Sequence, residues 1–191
     1  MSTDPSAPVR LLGLCGSLRR ASTNLAILRA AAELAPDGVE VVLHPLHDVP
    51  MFDADLEAEP LPDAVTALRT AVAGADGVLL ATPEYNWSIT AALKNAIDWL
   101  SRGPQAPIDR VPAAMLSGAG GSGGRRAQAH LRDILGHNQV DLLDESVQIA
   151  SAVEHVEDGR LASVEHREAV AALVVALADR VRQRREGTAA A

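Results

Sequence analysis

The chain has 191 residues, is 48% hydrophobic and carries a formal net charge of -8 at pH 7. This length allows one ordinary domain with a hydrophobic core and leaves too little chain for two full enzyme domains. The acidic balance argues against nucleic acid or an anionic membrane as the main partner. The single cysteine, Cys15, excludes an internal disulfide and a thiolate metal cluster, and we expect no metal site.

No apolar run approaches the roughly 20 residues of a membrane span, and the first residues contain no hydrophobic signal core. We therefore expect a soluble, cytoplasmic protein made of one domain over residues 1–191. Residues 1–7 and 187–191 are expected to be disordered.

Hydrophobic patterning predicts five strands that alternate with helices. Short runs of Val, Leu and Ile predict strands over 9–15, 39–44, 77–83, 112–118 and within 139–149. Alanine-rich or amphipathic stretches predict helices over 24–35, 62–73, 89–101, 125–135 and 164–185. The acidic segment 45–61 is expected to be irregular. Because the strands do not alternate with polar residues, both sheet faces should be covered, which predicts an α/β fold with a three-layer, doubly wound parallel sheet.

In such a sheet, ligands bind beyond the carboxyl ends of the strands. The loop after the first strand offers hydroxyls, an amide and a guanidinium, and it leads into a helix N-terminus that favours an anion. Residues 5–32 contain arginines but no acidic residue. These features predict a monophosphate site, and the alternative is a helix N-cap at Ser22 or Thr23 with solvated arginines. The candidate phosphate ligands are Ser17, Arg19, Ser22, Thr23 and Asn24.

The loop after the third strand gathers aromatic residues in a chain that is only 2% aromatic. Tyr85 and Trp87 can present flat surfaces to a flat ligand, while Trp99 is expected to pack in the core. Pro83 should stiffen the strand exit, and Glu84 and Asn86 can expose backbone N–H groups.

The loop after the fourth strand contains five glycines between 118 and 124, which allow close approach of the backbone to a ligand. It matches two short motifs. One is the dinucleotide pattern GxGxxG, with Asp141 near the position of a ribose-binding acid. The other is the hydrolase pattern GxSxG around Ser122, followed by Asp141 or Asp144 and by His155 or His166. Such a glycine-rich segment satisfies both patterns easily.

Taken together, the three loops resemble the NAD(P)H-dependent FMN reductase family, the flavodoxin-like group that includes quinone, azo-dye and chromate reductases. The stretches that carry the resemblance are GSLRRASTN, TPEYNWSITAALKNAIDW and GGRRAQAHLRDIL. The resemblance implies a flavodoxin-like sheet of strand order 2-1-3-4-5. In the family, the helix that carries Lys94 and Trp99 commonly contributes to a subunit interface, which implies a homodimer or homotetramer.

The resemblance also implies FMN and NAD(P)H as cofactors and a ping-pong transfer of electrons to free flavin, a quinone, an azo compound or an oxidised metal ion. No side chain is expected to act as an obligate acid or base. The first loop would hold the FMN phosphate, the second would line the isoalloxazine edge, and the third would face the ring from the other side. The residues implied beyond the first loop are Pro83, Glu84, Tyr85, Asn86, Ser117, Gly118, Gly120 and Gly121.

Two other functions stay open at this point. One is an FMN-binding electron carrier without NAD(P)H turnover. The other is a serine hydrolase that uses Ser122. Neither the physiological acceptor nor a preference between NADH and NADPH follows from the sequence.

Overall fold

The computed structural model describes residues 7–189. A five-stranded parallel sheet has the order β2-β1-β3-β4-β5, which confirms the predicted fold and strand order. The strands are β1 (Val9–Cys15), β2 (Val39–His44), β3 (Gly77–Ala81), β4 (Pro112–Gly118) and β5 (Asp141–Ile149). All residues of β3 and β4 are buried, because helices cover both faces of the sheet.

The helices divide into two layers with separate hydrophobic cores. On one face, Ile27 of the first helix and Leu177 of the last pack against the sheet. On the other face, Leu68, Leu93 and Leu131 come from three of the four helices between them. The helices are α1 (Thr23–Glu33), α2 (Ala54–Ala58), α3 (Asp63–Ala73), α4 (Ala91–Leu100), α5 (Arg125–His137) and α6 (Val164–Ala189). Trp99 lies in the core as expected, fully buried, with its Nε1 donating to the carbonyl of Pro50 at 2.8 Å.

The structure corrects three expectations about local structure. The segment 45–61 is not wholly irregular, because Asp53 caps the short α2 by accepting from the N–H of Asp55 at 2.9 Å. An unpredicted hairpin joins β6 (Val156–Glu157) to β7 (Arg160–Leu161). Helix α6 continues to Ala189, into the segment 187–191 that was expected to be disordered.

Near the end of α6, the buried Arg185 anchors the helix to the rest of the molecule. Its Nη2 lies 2.8 Å from a carboxylate oxygen of Asp76, and its Nη1 donates to the carbonyl of Ala7 at 2.7 Å. Ala7 is therefore held, although it belongs to the segment expected to be disordered. Residues 1–6 and 190–191 lie outside the described residues, so the expectation for them stays a prediction. Within residues 7–189, the helices are too short or too polar to cross a membrane.

Candidate functional site

Three loops meet at the carboxyl end of the sheet. Loop 1 (residues 16–22) follows β1, loop 2 (residues 82–90) follows β3, and loop 3 (residues 119–124) follows β4. Because β1 lies between β2 and β3, the direction of winding reverses beside it, which creates a cleft where ligands bind in this class of sheet. The three candidate loops from the sequence therefore border one cleft.

Asn24, in the first turn of α1 just after loop 1, bonds to Gly118, the last residue of β4 just before loop 3, and so joins the two loops. Its Nδ2 donates to the carbonyl of Gly118 at 2.7 Å, and its Oδ1 accepts from the N–H of Gly118 at 2.9 Å. Asn24 is only 1% exposed. A Cβ at Gly118 would lie 2.9 Å from Cβ of Ala152, which cannot turn aside, and 2.8 Å from Cδ1 of Ile27, so glycine is needed for this approach. The side-chain amide of Asn24, a candidate phosphate ligand, is thus committed to Gly118, and its backbone N–H is the group left to face an anion.

Loops 1 and 2 are joined through Thr90, a residue that the sequence did not single out. Its Oγ1 donates to the carbonyl of Gly16 at 2.7 Å and accepts from the N–H of Leu93 at 3.3 Å, which caps α4. A Cβ at Gly16 would come within 2.7 Å of Thr90 Oγ1. The available signal was a threonine, a favoured N-cap residue, near the start of the predicted helix 89–101.

Loops 2 and 3 are joined through Glu84. Its Oε2 accepts from the N–H groups of Arg126 at 2.9 Å and Ala127 at 3.2 Å, and its Oε1 accepts from the hydroxyl of Ser122 at 3.2 Å. The N-cap of α5 is Gly124, which has no side chain to cap the helix. The Glu84 carboxylate takes over this role, and its negative charge suits the helix N-terminus. Only the backbone of Glu84 remains to contact a ligand.

Loop 1 retains donors that can hold a phosphate. Ser22 is the N-cap of α1, and its Oγ accepts from the N–H of Leu25 at 3.2 Å, so the N-cap alternative is correct for this residue. Thr23 opens the helix, and Ser17 in loop 1 is buried. Within residues 7–189, the exposed guanidinium of Arg19 has no carboxylate partner. Hydroxyls, backbone N–H groups and one unpaired cation, without a carboxylate, form a donor set that fits a phosphate.

Loop 2 forms a tight turn that projects two aromatic rings. Tyr85 and Ser88 exchange two backbone hydrogen bonds of 3.0 Å, and Asn86 and Trp87 have φ of 51° and 65°. A positive φ is uncommon for a residue as bulky as tryptophan. Tyr85 is 54% and Trp87 is 66% exposed. The guanidinium carbon of Arg126 lies 3.5 Å from the centre of the Trp87 ring, a cation–π contact that ties the turn to α5.

Loop 3 separates into a supporting part and an open part. The fully buried Ser117 donates from its Oγ to the carbonyl of Gly123 at 2.5 Å and accepts from Nε2 of Gln128 at 2.9 Å. Ser117 and Gly118 are therefore internal supports. Gly120 and Gly121 have no heavy atom within 4 Å of an added Cβ, so their backbone is open to a ligand. Gln128, which the sequence does not mark as a site residue, supports loop 3 through this hydrogen bond to Ser117.

The two short motifs in loop 3 do not form the sites that they suggest. The hydroxyl of Ser122 donates to Glu84, and no histidine of the described chain bonds to it. Asp141 is the first residue of β5, at the end of the sheet opposite the loops, and it pairs with Arg180 at 2.5 Å. His155 packs against His166 with ring centres 4.5 Å apart. This geometry provides neither a serine triad nor a ribose-binding acid.

Cys15 ends β1 just before loop 1 and is partly buried. Burial raises the pKa of its thiol above the ordinary value of 9.0, while hydrogen bonding between the thiol and Ser17 and Ser22 and the charge of Arg29 oppose that shift. The thiol is therefore protonated near neutral pH and is a poor nucleophile.

The three loops lie within the part of the chain that matches known proteins. A family model described as NADPH-dependent FMN reductase matches residues 9–154. An NAD(P)H-dependent FMN reductase of Pseudomonas aeruginosa is 40% identical over 168 residues, covering 86% of this chain and 91% of that protein. A quinone reductase of Escherichia coli is 44% identical over 133 residues, covering 68% and 71%. FerB, a flavoenzyme NAD(P)H:(acceptor) oxidoreductase from Paracoccus denitrificans, superposes with a TM-score of 0.78 and 28% identity, covering 92% of this chain and 98% of FerB.

Proposed function

The chain belongs to the NADPH-dependent FMN reductase family, and on this premise we propose that the cleft between its three loops holds FMN for electron transfer from NAD(P)H to a quinone or to free flavin. The protein is an FMN-dependent oxidoreductase that uses NAD(P)H. The observation that carries the proposed site is the convergence of an acid-free donor loop, an aromatic turn and an open glycine loop at the winding reversal.

Each loop has a distinct task in this proposal. Ser17, Arg19, Ser22 and Thr23, with the backbone N–H of Asn24, hold the phosphate. The backbone around Pro83, Tyr85 and Asn86 lines the ring edge, and Gly120 and Gly121 approach the ring from the other side. Glu84, Ser117 and Gly118 position these groups through the contacts described above. When bound, FMN supplies the hydride and electron-transfer chemistry.

The protein residues have no obligate proton transfer to perform. Loop N–H groups and the nearby arginines favour the negative charge that the reduced ring would carry. Azo compounds and oxidised metal ions are further candidate acceptors. A cytoplasmic location and a homodimer or homotetramer remain predictions, and native mass spectrometry of the FMN-loaded protein tests the assembly.

Reconstitution with FMN tests the proposal directly. The protein is loaded, desalted and mixed anaerobically with NADPH and then with NADH, while the visible flavin bands are followed. Retained flavin that bleaches within the mixing time supports the reductase. Retained flavin that does not bleach would instead support an electron carrier.

Arg19→Ala tests the phosphate assignment. We expect about tenfold weaker FMN binding, because one charge-assisted contact to a phosphate is lost. Arg10→Ala is the matched control, since Arg10 lies on β1 at the opposite end of the sheet and its side chain is 58% exposed. Equal FMN affinity in the Arg19 variant and the control would remove Arg19 from the site.

A further inference from the structure

A second cavity lies on the other side of loop 1, between the carboxyl ends of β1 and β2. Its volume is about 490 Å³, within the range of small-molecule sites. The outer face of α1 forms one wall through Leu25 and Arg29, and the exit of β2 forms the other through residues 43–47. The proposed FMN cleft instead adjoins the exits of β3 and β4. Because β2 and β3 flank β1 on opposite sides, the two sites meet at loop 1, where Ser17 and Arg19 border both of them.

The rim of this cavity is strongly cationic. Arg19, Arg20 and Arg29 line it, and no Asp or Glu does. Within residues 7–189, none of these three guanidinium groups has a carboxylate or hydrogen-bonding partner. Several other arginines of the described residues pair with carboxylates, as with Arg102 and Glu57 at 3.1 Å or Arg160 and Glu33 at 2.9 Å. Arg19 is assigned to the FMN phosphate, so Arg20 and Arg29 are the two unpaired guanidinium groups that favour a further anion in this cavity.

The floor of the cavity is apolar. Leu25, Leu43 and Leu46 line it, together with the thiol of Cys15. At the entrance of the cavity, His47 connects the segment after β2 to loop 1, because its Nε2 lies 2.8 Å from the carbonyl oxygen of Leu18. His44 is partly buried, and burial lowers the pKa of its imidazole, so it is neutral at physiological pH. The cavity therefore combines an apolar base with a positive rim, which suits a flat organic group that carries a phosphate.

We propose that this cavity binds the 2′-phosphoadenosine end of NADPH, with Arg20 and Arg29 on the 2′-phosphate and the leucines against the adenine. The inference rests on the proposed function, since the reductase takes electrons from NAD(P)H. NADPH differs from NADH only by this phosphate, so the cavity discriminates between the two donors. The nucleotide then approaches from the β2 side of loop 1, while the isoalloxazine ring of FMN lies on the β3 side.

Binding of two isolated fragments tests the proposal on the FMN-loaded protein. Calorimetry compares adenosine 2′,5′-bisphosphate with adenosine 5′-monophosphate, which lacks the 2′-phosphate. We expect the bisphosphate to bind at least about tenfold more tightly, and Arg29→Gln to remove most of that difference. Arg182→Gln is the matched control, since Arg182 is a surface arginine of α6 paired with Asp179 at 2.9 Å. Equal binding of the two fragments, or an unchanged difference in Arg29→Gln, would overturn the proposal.

Two further readouts separate this proposal from the proposed function. Because Cys15 lines the cavity, the bisphosphate should slow alkylation of its thiol at pH 9 by about fivefold or more, and unchanged alkylation would contradict binding there. Arg29→Gln should raise the KM for NADPH about tenfold more than the KM for NADH. Equal changes in both constants would refute the phosphate assignment. Flavin retention and bleaching test the FMN site and do not depend on this cavity. If the protein neither retains nor bleaches FMN, the proposed function fails, whereas the fragment binding and alkylation results decide the proposal for the cavity.

Discussion

Replacing Asn24 tests whether its two hydrogen bonds hold loops 1 and 3 together. Asn24→Ala leaves the N–H and the carbonyl of Gly118 without their partner in a site where Asn24 is only 1% exposed. An unsatisfied buried group costs about 1–3 kcal/mol, so we expect a loss of about 2–4 kcal/mol in the free energy of unfolding. For a chain of this size, that loss corresponds to a fall in Tm of roughly 5–15 °C.

Asn24→Asp gives a pH signature that Asn24→Ala lacks. The aspartate can still accept from the N–H of Gly118, but its second oxygen then faces the Gly118 carbonyl oxygen that accepts from Asn24 at 2.7 Å. Burial and this carbonyl raise the pKa of the carboxyl in the folded state above its unfolded value of about 3.9. A raised folded-state pKa means that stability is lost as pH rises through it. The stability gap between Asn24→Asp and the parent should therefore narrow as pH falls from 7 toward 5.

The assay is denaturant unfolding at several pH values, with and without FMN. Asn138→Ala is the matched control, because Asn138 makes one side-chain hydrogen bond, 2.8 Å to the carbonyl of Ile134, and is only partly buried. We expect the control to lose less than about 1 kcal/mol. The reasoning would be refuted if Asn24→Ala lost no more unfolding free energy than this control. It would also be refuted if the difference in unfolding free energy between Asn24→Asp and the parent did not depend on pH.

Three further changes test other parts of the site. Glu84→Ala should lower the free energy of unfolding by about 1–2 kcal/mol, because α5 loses its cap. Glu168→Ala, at an exposed position, is the control and should change the free energy of unfolding by less than about 0.5 kcal/mol in the same assay. Equal effects of the two substitutions would contradict the capping role. Trp87→Gly should leave the thermal stability of the protein nearly unchanged. Glycine relieves about 1–2 kcal/mol of backbone strain at the positive φ of residue 87, which offsets the loss of the cation–π contact with Arg126. A large fall in Tm would mean that the cation–π contact outweighs the strain. Cys15 should react with a disulfide reagent at pH 8 at least about tenfold more slowly in the native than in the unfolded protein, and equal rates would contradict the raised pKa of its thiol. Because the unfolded thiol ionises first, stability should fall as pH rises above 9.0 toward the folded-state pKa.

The sequence predicted the framework well because burial dictates it. The strand VLLA within β3 is apolar at every position, and its full burial between two helical layers follows from that pattern. The positions of the three loops follow from the strand ends. The short hairpin at 156–161 was missed, although its Asp158–Gly159 turn, with φ of 47° and 75°, is a recognised hairpin signal.

The detailed roles of the site residues depend on contacts between distant parts of the chain, which one sequence does not reveal. The sequence predicts Asn24 as a phosphate ligand because an amide can donate to phosphate oxygens. In the fold its side-chain amide bonds to Gly118, a residue 94 positions away, and the prediction remains for its backbone N–H. The sequence predicts Glu84 at the ring edge through its backbone. The fold adds a role that the sequence does not reveal, because the Glu84 carboxylate caps α5, whose N-cap residue is a glycine. The residues around Thr90 and Gln128 in the sequence do not mark them as part of a site. Their hydrogen-bond partners, Gly16 and Ser117, come within reach only in the folded chain.

These contacts imply a division of labour in the site. The carboxylate of Glu84, the amide of Asn24 and the hydroxyl of Thr90 each join two loops, so none of them is free to follow a ligand. In the proposed site, FMN is therefore bound by backbone N–H groups and by arginines without a carboxylate partner. Backbone donors fixed by such contacts need little ordering when a cofactor binds, which lowers the entropic cost of binding. Substitution of a joining residue should therefore speed FMN dissociation without removing a contact to FMN, whereas substitution of Arg19 removes one.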